Sequence, residues 1–119
     1  MEIKRAKGKA AGRSRGSAFR DLVTAVAVDP SSAPSLAEQT RNTLAQLDGV
    51  LSELGSDKTR IIQATVYVTD IEKKDEMDAE WVKWIGADSD NWPQRACIQV
   101  KLAGKDQVEI VLVAAKKGV

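Results

Sequence analysis

Two stretches of the chain carry apolar residues at helical spacing, and residue types typical of helix ends flank both. Ser35 and Glu38 have the spacing of a capping box, and Gly55 is a natural stop. Asp70 is an N-cap candidate for the second stretch, which ends at Gly86. The spacing predicts helices over 35–54 and up to Gly86, with apolar faces formed by Leu36, Thr40, Leu44, Leu47, Leu51 and Leu54 and by Met77, Trp81, Trp84 and Ile85.

Other segments are rich in β-branched residues and predict strands over 22–28, 61–69, 95–102 and 107–114. In the second of these, strict alternation places Ile62, Ala64, Val66 and Val68 on one face. The order of elements predicts an α+β domain, in which both helices cover one face of a single mixed sheet. The other face of so small a sheet is expected to be buried against partner subunits.

Composition narrows the class of protein. The 119 residues, 43% apolar and 29% charged, predict one globular domain over 1–119, and no apolar run is long enough for a membrane span. One cysteine, Cys97, and no histidine exclude a disulfide framework, a Ser-His-Asp triad and a histidine metal site. We therefore expect no metal and no cofactor. The lone thiol and the lack of a secretory signal favour a cytoplasmic location.

Residues 1–20 contain seven of the 18 basic residues and a single acid, Glu2. Such a basic segment is compatible with contact to nucleic acid, with a transit peptide, or with a first strand whose charged outer face is solvated. Gly8, Gly12 and Gly16 are expected to interrupt any strand there. Aromatic residues make up only 4% of the chain, and no phosphate-binding glycine motif is present, so a nucleic-acid partner is disfavoured.

Without histidine, the candidate chemistry lies in Arg95, Cys97 and Glu109. Residues two apart share a strand face, so Arg95 and Cys97 point the same way. The planar fork of Arg95 suits a substrate carboxylate, and a desolvated Glu109 in its apolar strand can position a water. The structural alternatives are an ion pair between Arg95 and Glu109 across strands, and a small buried apolar role for Cys97.

The tryptophans divide into two groups. Trp81 and Trp84 have the spacing of core residues in the second helix. Trp92 lies in a loop beside Arg95, where it either lines a pocket or plugs the domain.

Four segments, in order, resemble the YjgF/RidA family, which also carries the description L-PSP endoribonuclease. The resemblance covers about Asp29 to Ala115 and rests on Ala37–Leu44, on Gly55–Lys58 with Ala64–Asp70, on the Pro-x-Arg-x-Cys pattern within Trp92–Cys97, and on Val108–Ile110. The resemblance implies a chorismate-mutase-like fold that assembles as a homotrimer, with pockets in the clefts between subunits.

The resemblance also implies an activity. Family members with the signature arginine are enamine/imine deaminases, which hydrolyse reactive 2-imino acids to 2-keto acids and ammonia. Carried over, Arg95 would bind the substrate carboxylate, Cys97 would offer backbone groups, and Glu109 would position the water. Trp92 and Phe19 would line the pocket.

One segment departs from the family pattern. The strand Val23–Ala27 lacks the glycine and glutamine that usually precede the first helix. The departure leaves open a non-catalytic protein of the same fold that binds small carboxylates or keto acids as a regulator. An RNA-directed role through the basic segment is a third reading.

Overall fold

The computed structural model describes residues 2–119 and contains one six-stranded sheet and two helices. The order of strands across the sheet is β1-β2-β3-β6-β4-β5; only β4 and β5 are parallel, and all other neighbours are antiparallel. The bounds are β1 Lys4–Lys7, β2 Ser14–Phe19, β3 Leu22–Ala27, α1 Leu36–Glu53, β4 Ile61–Val68, α2 Lys74–Ile85, β5 Gln94–Gln99 and β6 Val108–Ala115.

Helix α1 agrees with the predicted boundaries to within one residue at each end. The Ser35 hydroxyl accepts a hydrogen bond from the Glu38 amide at 3.1 Å, which satisfies one of the unpaired donors of the first turn. Every residue of the predicted apolar face is buried, from Leu36 to Leu54. The helix packs on β3 and β6, so its leucines form the centre of the core.

Helix α2 packs beside α1 on the same side of the sheet and ends at Gly86, whose φ of 86° suits glycine. Asp70 does not cap α2 itself. Its carboxylate accepts from the Glu72 amide at 3.0 Å and caps a short 3₁₀ turn, Ile71–Lys73, that leads into the helix. No helix within residues 2–119 combines the length and apolar character needed to cross a membrane.

The two faces of the sheet differ in their surroundings. The covered face packs against α1 and α2 and carries buried residues such as Val23, Val66 and Ile110. No element within residues 2–119 lies over the open face. Large apolar side chains there are 38% to 49% exposed, namely Phe19, Leu22, Ile98 and Val111. The predicted mixed sheet with both helices on one face is confirmed.

The predicted alternation in β4 is wrong at its first residue. A β-bulge between Ile61 and Gln63 shifts the register against β6. Ile61 is therefore the buried residue, at 7% exposure, and Ile62 points out at 45%. From Ala64 onward the alternation follows the prediction, because pairing with β6 resumes beyond the bulge.

The basic segment forms two strands rather than one. β1 and β2 make an antiparallel hairpin joined by residues 8–13, and this hairpin extends the main sheet beyond β3. Gly16 lies inside β2 without interrupting it. A side chain there would approach the Thr24 carbonyl to 2.6 Å and Val50 of α1 to 2.7 Å, so the close packing of α1 on the hairpin requires glycine.

Candidate functional site

Arg95 and Cys97 lie on β5, which is an edge strand of the sheet. In the parallel register with β4, Arg95 is opposite Ala64 and Cys97 is opposite Val66. Both partners are buried beneath the helices, so Arg95 and Cys97 project from the covered face, beside α2. The two-residue spacing predicted that Arg95 and Cys97 lie on the same side of the strand. It did not predict that this side is the covered face of the sheet, because that depends on register.

Residues of α2 hold the guanidinium of Arg95 in place. Its Nη2 donates to the Asp78 carboxylate at 2.5 Å, and Nη1 lies 3.6 Å from the sulfur of Met77. The guanidinium carbon is 5.2 Å from the centre of the Trp81 ring, within cation–π range. We call Arg95 and these three α2 residues, together with Lys74, the Arg95 cluster.

The charges of the Arg95 cluster leave a net positive balance. Lys74 donates to the other oxygen of Asp78 at 2.5 Å, so one carboxylate is shared by two cations. Burial acts to raise the pKa of Asp78, but hydrogen bonds from Lys74 and Arg95 outweigh it and lower the pKa below its usual value. Among residues 2–119, no acceptor takes the Nε–H of Arg95. The cluster is therefore equipped to bind one more anion.

Cys97 packs against the core beside this cluster, half-buried and free. Burial raises the pKa of its thiol, although the nearby charges of Arg95 and Lys74 act in the opposite direction. A thiol with a raised pKa stays protonated at neutral pH and is a poor nucleophile.

Glu109 lies on the opposite face of the sheet. It belongs to β6, a central strand, and stands opposite Tyr67 of β4. Since Val108 and Ile110 are buried on the covered face, Glu109 points out of the open face, half-buried. The alternative of an ion pair between Arg95 and Glu109 is wrong for this chain, because Arg95 pairs with Asp78 and β4 separates β5 from β6.

Trp92 is held at the end of α2, and Phe19 lies on a distant strand of the sheet. Trp92 donates its indole N–H to the Gly86 carbonyl at 2.8 Å, which ties the loop before β5 to the end of α2. Trp92 is 55% exposed and therefore does not plug the domain. Phe19 is on β2, four strand spacings or about 19 Å from β5. A small ligand that touches Arg95 of this chain is therefore out of reach of this chain's Phe19.

The sequence did not identify the residues that surround Arg95 and Glu109. Lys74 and Asp78 have the four-residue spacing of a helical ion pair, which is a visible signal, but α2 carries several acids and nothing in the pattern singles out Asp78. Tyr67 was not singled out, because its position opposite Glu109 is set by the register of β4 and β6.

Comparisons with known proteins identify the family. A family model described as Endoribonuclease L-PSP matches residues 24–116. The chain is 42% identical over 79 residues to the RutC family protein YoaB of Escherichia coli, covering 66% of this chain and 68% of that protein. A RutC family protein of Haemophilus ducreyi is 38% identical over 79 residues, 66% of each chain. The chain belongs to the YjgF/RutC/L-PSP family, and the matched segment spans about two thirds of these relatives' length.

Solved structures give the same assignment for the fold. A crystal structure of a YjgF-family protein from Neisseria meningitidis superposes with a TM-score of 0.90 at 33% identity, over 100% of this chain and 98% of that chain. A Mycobacterium tuberculosis member of the YjgF/YER057c/UK114 family reaches a TM-score of 0.86 at 20% identity, over 96% and 99% of the two chains. The first of these covers the β1–β2 hairpin as well, so the hairpin has a counterpart outside this chain.

Proposed function

We propose that this protein hydrolyses small reactive 2-imino acids to 2-keto acids and ammonia, in sites between the subunits of a homotrimer. The observation that carries the proposal is the Arg95 cluster: an arginine fixed at a sheet edge, with donors to spare and a net positive charge. A rigid guanidinium fork is suited to the carboxylate of a 2-imino acid. The family membership supports the same reading, although the matching family model is described as an endoribonuclease and the names of the RutC relatives state no reaction.

The reaction needs few catalytic groups from the protein. An imine carbon is already electrophilic, so water adds to it, a carbinolamine forms, and the C–N bond breaks to release ammonia and leave the carbonyl. Glu109 would accept the proton of the attacking water and return it to the leaving nitrogen. Arg95 would hold the carboxylate, and the backbone of Cys97, on an edge strand with unpaired groups, would contact the imine.

The geometry of one chain supports a shared site. Arg95 and Glu109 point from opposite faces of the sheet, and two strand spacings, about 10 Å, separate their strands. One small molecule does not reach both within a chain. If the open face packs on a neighbour, Glu109 is carried into the interface, where it can meet Arg95 and Cys97 of the neighbouring subunit. The exposed apolar residues of the open face supply the reason for that packing.

Hydrolysis is tested by release of keto acid and ammonia from freshly generated 2-iminobutanoate and 2-iminopropanoate. We expect Arg95→Ala to reduce kcat/KM by roughly a hundredfold or more while the trimer persists, because a charge-assisted bidentate contact is lost. Lys105→Ala removes an exposed cation from the loop between β5 and β6 and is the matched control. Loss of the trimer in the Arg95 variant would make Arg95 a structural residue, and no acceleration by the folded wild type would refute the deaminase.

Sharing of the site is tested by mixing two inactive variants. When Arg95→Ala and Glu109→Gln chains are unfolded and refolded together, each mixed trimer regains about one intact site in three if the two residues come from different subunits. Activity should then reappear, although each variant alone is inactive. Continued inactivity of trimers shown to be mixed would place both residues in one subunit's site.

A second function is favoured by strand β3. Val23–Ala27 is regularly paired with β2 on one side and β6 on the other, and it offers neither a glycine nor a glutamine to a pocket. A trimer without turnover that binds 2-ketobutanoate, and loses that binding in Arg95→Ala, would be a carboxylate-binding regulator. The same assay therefore separates the two functions.

A further inference from the structure

The proposed deamination leaves Lys74, the first residue of α2, without a role. Its ammonium donates to one oxygen of Asp78 at 2.5 Å, while Nη2 of Arg95 donates to the other oxygen at 2.5 Å. Since a single carboxylate spans both contacts, the two donor nitrogens lie within about 7 Å of each other. Lys74 is therefore close enough to affect the charge that Arg95 presents to a ligand.

Asp78 has two opposite effects on Arg95. Its carboxylate holds the guanidinium in place, which favours a ligand that must be bound in one orientation. Burial opposes ionisation of Asp78, but hydrogen bonds from Lys74 and Arg95 lower its pKa, so the carboxylate is charged at neutral pH. That negative charge, acting alone, would cancel the positive charge of Arg95 and weaken its attraction for a substrate carboxylate.

Lys74 removes this conflict because it supplies a second positive charge to the same carboxylate. The three charged groups together then carry one net positive charge. The side chains of Arg95 and Asp78 are only 17% and 29% exposed, so water screens their charges incompletely. Within residues 2–119, Asp78 forms salt bridges with these two cations and with no other. No further residue of the chain can take over the compensation by Lys74.

We propose that Lys74 is a positioning residue for the deamination: it neutralises Asp78, so that Arg95 is held rigidly and still attracts the substrate carboxylate. This inference rests on the proposed function. Asp78 fixes the geometry of Arg95, Lys74 restores its charge, and neither takes part in bond making or breaking. The site should therefore distinguish a ligand with a carboxylate from an uncharged ligand of the same shape, and the distinction should depend on Lys74.

The test compares binding of 2-ketobutanoate and of its uncharged amide, 2-oxobutanamide, to the full chain by ligand-detected NMR. Lys74→Met should weaken binding of 2-ketobutanoate on the order of tenfold, because a charge is lost at short range in a partly buried site. Binding of the amide should change by less than about twofold. Lys74→Arg keeps the charge and should keep the preference for the carboxylate.

The matched control is Lys73→Met. Lys73 is the neighbouring exposed lysine and forms no salt bridge within residues 2–119. Its removal should change binding of 2-ketobutanoate by less than about twofold, since a solvated charge is screened. Circular dichroism and sedimentation should show that every variant keeps the fold and assembly of the wild type.

A double variant separates charge from packing. Asn in place of Asp78 still offers an oxygen to Arg95 but carries no charge, so Lys74→Met/Asp78→Asn again has one net positive charge. The double variant should bind 2-ketobutanoate at least about threefold more tightly than Lys74→Met alone.

Three results would overturn the inference. Unchanged binding of 2-ketobutanoate in folded Lys74→Met would show that Arg95 needs no compensating charge. Equal weakening of both ligands would assign Lys74 a structural role, and no recovery in the double variant would mean that Lys74 contacts the ligand directly. Failure of the deaminase looks different: the wild type would bind 2-ketobutanoate without accelerating hydrolysis of 2-iminobutanoate. Absence of 2-ketobutanoate binding by the wild type would refute both.

Discussion

The covered and open faces of this sheet are built by the same strands, yet they contain different chemistry. On the covered face, Arg95 finds its partners within its own chain, in Asp78, Met77 and Trp81 of α2. On the open face, Glu109 faces outward among exposed apolar residues, with only Tyr67 opposite it across the ladder. A cation that is held by its own chain is positioned in advance, whereas a carboxylate on an uncovered face would gain its surroundings from a neighbouring subunit in the proposed trimer.

The largest expected effect is on the covered face. Leu47 is fully buried in α1 at the centre of the core. Leu47→Ala should lower the free energy of unfolding by about 2–5 kcal/mol, since it removes apolar contact and leaves a cavity. Denaturant unfolding measures the loss. A decrease in the free energy of unfolding below about 1 kcal/mol would mean that the core does not depend on the packing of α1 described above.

The open face should respond through assembly rather than folding. Val111 is 38% exposed in the single chain, so Val111→Lys should change the stability of the subunit by no more than about 1 kcal/mol. In the proposed trimer the same lysine is buried at an interface, and the trimer should dissociate. Sedimentation measures the change.

The control for that variant is Val82→Lys, which places a lysine at an α2 position that is 63% exposed. It should leave the assembly intact. Equal behaviour of the two variants would show that the open face is not the interface, and would remove the basis for a shared site.

A smaller effect is expected from the ion pair within the Arg95 cluster. Because the folded-state pKa of Asp78 is lowered, its contribution to stability is fully present above the ordinary carboxyl pKa of 3.8 and is lost as pH falls through the lowered value. Asp78→Asn should therefore be less stable than wild type at neutral pH, and the two should converge in acid. Urea midpoints across pH measure this.

Asp75→Asn is the matched control, an exposed acid on the same helix. It should leave the pH dependence of the wild type nearly unchanged. A constant gap between wild type and Asp78→Asn at every pH would show that Asp78 contributes through packing and not through its charge.

The smallest expected effect concerns Cys97. Burial raises the pKa of its thiol, and the proposed chemistry uses its backbone, so Cys97→Ser should keep at least about half of the turnover. Steady-state kinetics measures it. Complete loss of turnover in a folded trimer would require a chemical role for the sulfur.

Predictions that depend on interactions between residues close in sequence were accurate, whereas those that depend on contacts between distant segments were not. The boundaries of α1 follow from Ser35, Glu38 and a leucine period, all of which act within a few residues. The bulge at Ile62 was not predictable from its neighbours, because it exists only in the pairing of β4 with β6. Likewise Arg95 was identified as a candidate from its local motif, while its partner was wrongly sought in Glu109 and is Asp78.

The sequence alone determined both helices and the strands from β3 onward, the mixed sheet with helices on one side, the family, and the placement of Arg95 and Cys97 on one strand face. These depend on periodicity, capping and short motifs, which are local properties of the chain. Only the tertiary structure decided that this face is the covered one, that Glu109 lies on the other, and that Lys74 and Arg95 share Asp78. The reason is that strand register and helix placement are set by contacts between residues far apart in sequence.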